Sequence, residues 1–262
     1  MNKWIRGALL LLLLVIFAVC MMKVIPQVRD YQKGKEDYAE AMEIAGIRQS
    51  AETSTEKNGT ADGKTYEETI ATVDLASLQA VNSDVIGWIA IPDTEIFYPL
   101  LRTNDNDYYL NHTWKKEWNS VGSIFMESRI NPDFSAFHTI IYGHRMRNGS
   151  MFGGLKDYRN AEYWKEHPSV YVVTDDAVRR YDVFAAHEMA TDKIAGSISI
   201  SEDAEKQEFI RYSIQHSAID TDIVPTEEDF VLSLITCTGR DYSSRWVVQA
   251  VLREEVPQAD AP

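Results

Sequence analysis

The sequence predicts a mainly β domain held behind an apolar N-terminal segment, and three observations carry that prediction. From Val85 onward, short runs rich in β-branched and aromatic residues alternate with turn signals. Only two stretches among them, Met151–His167 and Glu202–His216, have helical spacing. Near the N-terminus, Gly7 to Met22 carries no charge at all.

With Lys23 placed at the interface, the apolar N-terminal run extends to Ile25, close to the ~20 residues that cross a bilayer. Lys3 and Arg6 precede it and belong on the cytoplasmic side, although Lys23 and Arg29 weaken the charge asymmetry. The competing reading is a cleaved signal peptide, for which Ala18-Val19-Cys20 is a poor site; Phe17 and Val19 also fit lipoprotein processing at Cys20 badly. An uncleaved anchor over residues 1–29 is favoured, and either reading places the bulk of the chain outside the cytoplasm. Residues 30–72 follow as a stalk and linker. The stalk sets Tyr38, Met42 and Ile47 among charges, and Ser50 to Lys64 is small, polar and flexible in composition. The folded domain is expected over residues 73–256, with a tail at 257–262.

That domain opens with Asp74 placed to cap a short helix bearing Leu75, Leu78 and Val81 on one face. Candidate strands are Gly87–Ile91, Ile96–Leu101, Gly122–Met126, Thr139–Tyr142, Val170–Thr174, Arg180–Ala186, Phe230–Thr236 and Arg245–Arg253. Eight short strands with few helices suggest a closed barrel. Ser199 and Ser201 introduce the second helical stretch, which aligns Phe209 with Tyr212 and Ile210 with Ile214 on adjoining faces.

Composition narrows the function. The 262-residue chain has a net charge of −14, and residues 30–262 hold 22 basic against 40 acidic side chains, or −18. A surface this acidic repels phosphate backbones, which argues against nucleic acid as a partner. Of the two cysteines, Cys20 lies in the apolar run, so Cys237 stands alone in the folded part.

Cys237 ends the apolar run Phe230–Thr236, and Arg245 begins the next strand beyond a polar turn with Gly239. A thiol at a strand end can meet solvent, and a nearby guanidinium favours a thiolate or a developing oxyanion. The bland alternative is a buried core thiol. Among six histidines, His144 follows the strand-like run Thr139–Gly143 and sits at a strand-to-loop junction, whereas His216 ends a helix and suits its dipole. His138 shares strand parity with His144, but no carboxylate or cysteine stands at supporting ligand spacing, so neither a metal nor a cofactor is expected. A Cys/His/Arg set suits acyl transfer, with thiolate as nucleophile, imidazole as proton carrier and guanidinium at the oxyanion.

The chain resembles the class B sortases, cysteine transpeptidases of the Gram-positive cell surface. Ser233-Leu234-Ile235-Thr236-Cys237 is similar to the family's Thr-Leu-x-Thr-Cys signature, with Ser in place of the first Thr. Ile140 to Met146 and Gly149 to Leu155 resemble its histidine segment, Arg245 its arginine, and Asn106–Leu110 and Gly122–Met126 further class B segments. The resemblance implies an eight-stranded sortase-type barrel with an N-terminal helix and a helix before the cysteine strand. It implies Cys237, His144 and Arg245 as catalytic residues, and Asn106, Leu110, Ser233, Ile235 and Thr236 as residues of the substrate groove. The implied partners are secreted proteins bearing an Asn-Pro-x-Thr-Asn or Pro-x-Thr-Gly-like sorting motif, a peptidoglycan amine or a pilin lysine, and the membrane. Thr238 stands where some relatives carry an acid, and Asp241 reads as a solvated turn residue. An L,D-transpeptidase, which places His-Gly shortly before its cysteine, and a papain-like protease, which has Cys-Gly-x-Cys-Trp, both fit worse. The non-enzymatic alternative is an anchored β-domain scaffold.

Overall fold

The computed structural model describes residues 3–47, 66–237 and 243–258. Helices α1 (Lys3–Ile44), α2 (Tyr66–Ile70) and α3 (Leu75–Val81) precede strands β1 (Val85–Ala90), β2 (Phe97–Leu101), β3 (Ile124–Met126) and β4 (His138–Tyr142). Then come α4 (Ala161–Glu166), β5 (Ser169–Val173), β6 (Ala177–Ala190), α5 (Thr191–Gly196), α6 (Asp203–His216), β7 (Val231–Cys237) and β8 (Ser244–Pro257). The eight strands close a barrel in the order β1-β2-β3-β4-β7-β8-β6-β5, as the strand pattern suggested. The β2/β3 and β4/β7 pairs are parallel and the others antiparallel.

Successive strand residues face opposite sides, so a strand covered on both sides must be apolar throughout. β7 is such a strand: Val231 to Thr236 are all buried. α6 lies across this part of the barrel, and its Phe209 ring meets Phe137 and His138 at centroid distances of 6.1 and 4.6 Å. The cover completes a buried polar chain, in which His138 binds the Ser197 carbonyl at 3.1 Å and the Ser233 hydroxyl at 2.7 Å. Gln249 donates to Ser233 at 3.3 Å and meets His187 at 3.0 Å.

Four local expectations are corrected. Met151–His167 is not one helix: a 3-10 turn covers Gly153–Arg159, and Asn160 leaves it with extended backbone to cap α4 through the Glu162 N–H. The asparagine thus competes with helix continuation and starts a new helix instead. α6 begins after Glu202 with no side-chain cap, so neither Ser199 nor Ser201 caps it; its buried face is Phe209, Ile210 and Ser213, with Ile214 turned outward. Val81 of α3 is likewise exposed, although Asp74 does cap that helix by accepting from the Ser77 N–H at 2.9 Å. β6 and β8 each reach 14 residues, well past the expected apolar runs. Charged pairs hold the extension, Arg179 to Glu255 at 2.7 Å and Arg180 to Glu254 at 3.4 Å. Alternation of apolar residues carries no trace of such pairs.

The first half of α1 is long and apolar enough to cross a membrane, and its large apolar side chains are exposed. Its second half packs on the barrel, burying Tyr38, Ala41 and Ala45. There the Tyr38 hydroxyl donates to the Gly122 carbonyl at 2.7 Å, and the Trp114 indole donates to the Asp37 carbonyl at 2.7 Å. The linker expected at Ser50–Lys64 lies outside the described residues.

Candidate active site

Strand register sets the site. β4 and β7 run parallel with Tyr142 beside Ile235, and the Gly143 N–H continues the pairing by donating to the Ile235 carbonyl at 3.1 Å. His144 follows two residues past Tyr142, at the end of the barrel where Cys237 closes β7, two residues past Ile235. On the other side of β7, Cys237 pairs directly with Arg245 of β8. Adjacent strands are ~4.8 Å apart, so the backbones of Cys237 and Arg245 are neighbours, and His144 follows β4 at the same end of the barrel. The Cys237 side chain, Thr238, Gly239 and Asp241 lie outside what the structure describes.

His144, Arg245, Asn106, Leu110, Ile235 and Thr236 line one cleft of about 210 Å³. Ser233 is not among its walls. Its hydroxyl is sealed in the polar chain with His138 and Gln249, which corrects the expectation that it contacts substrate. His138 is likewise committed to that chain and shares no ligand set with His144, and the described residues hold no cluster suited to a metal ion.

The imidazole of His144 is oriented by backbone. Its Nε2 lies 2.6 Å from the Leu110 carbonyl. A carbonyl only accepts, so Nε2 carries a proton and Nδ1 is the nitrogen left for proton exchange. Leu110 closes a 3-10 turn, Tyr108–Leu110, whose start is held by the Asp105 carboxylate accepting from the Asp107 and Tyr108 N–H groups. Behind the ring stands Gly122 at φ +63; a Cβ there would lie 2.7 Å from the Leu110 and Tyr109 carbonyls and 2.9 Å from His144 Cδ2. Only glycine meets both demands.

The other wall centres on a residue that sequence reasoning missed. Glu127, just beyond β3, has a wholly buried side chain. Its carboxylate accepts from Asn106 Nδ2 at 2.8 Å, Arg129 Nε at 2.8 Å, the Arg129 backbone N–H at 3.1 Å and the Tyr142 hydroxyl at 2.9 Å. Burial pushes its pKa up, but these donors, led by Arg129, outweigh burial and hold it at about 2. Burial and the same carboxylate raise the Tyr142 phenol above its ordinary value. The signal was present in the sequence as an acid directly after the apolar run Gly122–Met126, two residues before an arginine. Thr236 adds a buried hydroxyl with no hydrogen-bond partner among the described residues, on the wall of the same cleft.

The arrangement offers a strand-end cysteine, a histidine of defined tautomer, a cation beside them and a peptide-sized polar wall. Those are the requirements of thiol-based acyl transfer. Comparison with known proteins agrees. The sortase domain family matches residues 89–253. Sortase B of Listeria monocytogenes is 35% identical over 181 residues, covering 68% of this chain and 74% of its own. Among solved structures, sortase B from Bacillus anthracis in complex with AAEK2 superposes with a TM-score of 0.69 at 33% identity, over 86% of this chain and 98% of that one. A sortase B complexed with triglycine superposes at 0.64 and 28% identity, over 69% and 85%.

Proposed function

The chain belongs to the sortase family, in class B, whose members are cysteine transpeptidases, and we propose that it cleaves a C-terminal sorting motif and passes the acyl group to an amine of peptidoglycan. The pairing of Cys237 with Arg245, together with the cleft that His144 and Arg245 share, is the observation that carries this reading. In the proposed sequence, the Cys237 thiolate attacks the carbonyl of the motif's threonine, and Arg245 stabilises the oxyanion. His144, held through Nε2 by Leu110, delivers a proton from Nδ1 to the departing amine and leaves a thioester. The incoming amine then loses a proton to Nδ1 as it displaces the sulfur, restoring thiolate and imidazolium. A minor thiolate–imidazolium fraction serves as the active form, so the scheme needs no strongly depressed thiol pKa.

Asn106, Leu110, Ile235 and Thr236 are proposed to contact the motif, of the Asn-Pro-x-Thr-Asn or Pro-x-Thr-Gly kind, because they line the cleft beside His144. The sortase B structure complexed with triglycine supports a glycine amine as acceptor. The apolar first half of α1 supports a single-pass anchor at residues 1–29, and Lys3 and Arg6 before it favour an extracellular domain at residues 73–256. The test is direct. Cys237→Ala is expected to abolish peptide cleavage at unchanged thermal stability, with His144→Ala and Arg245→Ala close behind. Normal transpeptidation by Cys237→Ala would refute the mechanism.

A further inference from the structure

Glu127 makes a set of contacts that catalysis by Cys237, His144 and Arg245 does not require. Oε1 accepts hydrogen bonds from Asn106 Nδ2 and from Arg129 Nε and backbone N–H, and Oε2 accepts them from Arg129 Nη2 at 3.1 Å and Tyr142 at 2.9 Å. The far side of the Asn106 amide is fixed too, because its Oδ1 accepts from the Ser128 N–H at 2.8 Å. A fully buried carboxylate would be costly to ionise without such donors, and here it is saturated with them.

The consequence is a polarity imposed on the cleft wall. Tyr142 lines the cleft, and the only proton of its hydroxyl is spent on Glu127, so the hydroxyl has lone pairs alone to offer. Asn106 spends one of its two amide protons on Glu127 and its oxygen on Ser128, so it has one N–H left to offer. The wall thus shows an acceptor at Tyr142 and a donor at Asn106. An extended peptide carries the complement, with N–H and C=O groups alternating along its edge.

We propose that Glu127 is a positioning residue for the sorting peptide: through Tyr142 and Asn106 it presets an acceptor–donor wall that an extended peptide strand matches. In this role Glu127 acts through the two residues it holds. This inference rests on the acyl-transfer reading above.

Glu127→Gln keeps the size of the side chain but replaces one acceptor oxygen with a donor. Whichever way the new amide faces, at least one former donor partner confronts an N–H, and a Tyr142 hydroxyl so confronted must turn its own proton into the cleft. The experiment measures cleavage of fluorogenic peptides carrying Asn-Pro-Ala-Thr-Asn or Pro-Ala-Thr-Gly, using the one that the wild-type chain cleaves faster. In parallel, calorimetry measures binding of that peptide to the Cys237→Ala chain with and without the Glu127 change. Leaving a peptide N–H without its acceptor at Tyr142 predicts a rise in KM and Kd of roughly ten-fold, with kcat lowered much less. Glu127→Asp, which keeps the charge and the acceptors, should recover most of the affinity. Tyr142→Phe should raise KM similarly, and the double variant Glu127→Gln/Tyr142→Phe should be no worse than the poorer single.

A merely structural carboxylate would lower kcat and thermal stability together and would show additive effects with Tyr142→Phe. That pattern overturns the proposal, as does peptide affinity within two-fold of wild type in Glu127→Gln. If Glu127→Gln fails to fold, Tyr142→Phe decides alone: unchanged KM refutes the acceptor role. Cleavage by the Cys237→Ala chain would instead refute the acyl-transfer reading, which keeps the two failures apart.

Discussion

Replacing Gly122 by alanine tests how the backbone orients His144 without replacing any side chain of the site. Two penalties act there. The φ of +63 costs an L-residue about 1–2 kcal/mol, a Tm loss of roughly 2–8 °C for a domain of this size. In addition, the new Cβ would lie 2.7 Å from two carbonyl oxygens and 2.9 Å from the His144 ring. Carbon–oxygen contacts settle near ~3.3 Å or beyond, so the Leu110 carbonyl, the ring or both must retreat by about half an ångström or more. The hydrogen bond that sets the tautomer is only 2.6 Å long and joins those same two groups. A misplacement approaching 1 Å costs on the order of 100-fold in rate, so Gly122→Ala should lose ten- to 100-fold in kcat while remaining folded. Gly46→Ala is the control: its φ is +71 with nothing within 4 Å of the new Cβ, so it incurs the backbone penalty alone. Peptide cleavage and thermal melts on both variants decide the matter. Full activity in Gly122→Ala, or equal activity loss in Gly46→Ala, would refute the reasoning.

Two further outcomes follow from buried polar groups. His138 is buried and, chiefly through that burial, its pKa is lowered to about 4 from 6.5. It is neutral in the fold but gains a proton on unfolding below pH 6.5, so its stabilisation, complete above that pH, is lost as pH falls through 4. The shift is worth about 3 kcal/mol, and His138→Gln should flatten the acid limb of a denaturant-monitored stability profile; an unchanged slope between pH 6.5 and 4 would contradict this. Thr236→Val removes a buried hydroxyl with no hydrogen-bond partner among the described residues, so thermal stability should hold or rise. If that hydroxyl meets the sorting peptide, KM rises several-fold in the same variant, and an unchanged KM would remove Thr236 from the contact surface.

Much of the design was legible residue by residue. Strand-forming runs such as Phe230–Thr236 announce themselves because a strand covered on both faces must be apolar along its length, and the lone cysteine at its end was conspicuous for the same reason. Asp74 as a helix cap was legible because the capping contact spans three residues. The long ends of β6 and β8 were not, since charged pairs such as Arg179–Glu255 join residues far apart in the chain. Ser233 shows the opposite failure. Its place in a signature suggested a groove residue, but which side of a strand a neighbouring helix covers is decided by α6, not by the strand.

Local chemistry, then, specified the elements and the reactive residue types: short apolar runs between turn signals, an anchor-like apolar segment, one thiol in the folded part, one imidazole beside a glycine, one arginine opening a strand. Tertiary structure decided their company. Parallel pairing of β4 with β7 brings the ends of both strands together, a carbonyl from a distant 3-10 turn selects the tautomer of His144, and closure around Glu127 fixes Asn106 and Tyr142. Those outcomes depend on distances between segments remote in sequence, and only the packed core brings such segments together.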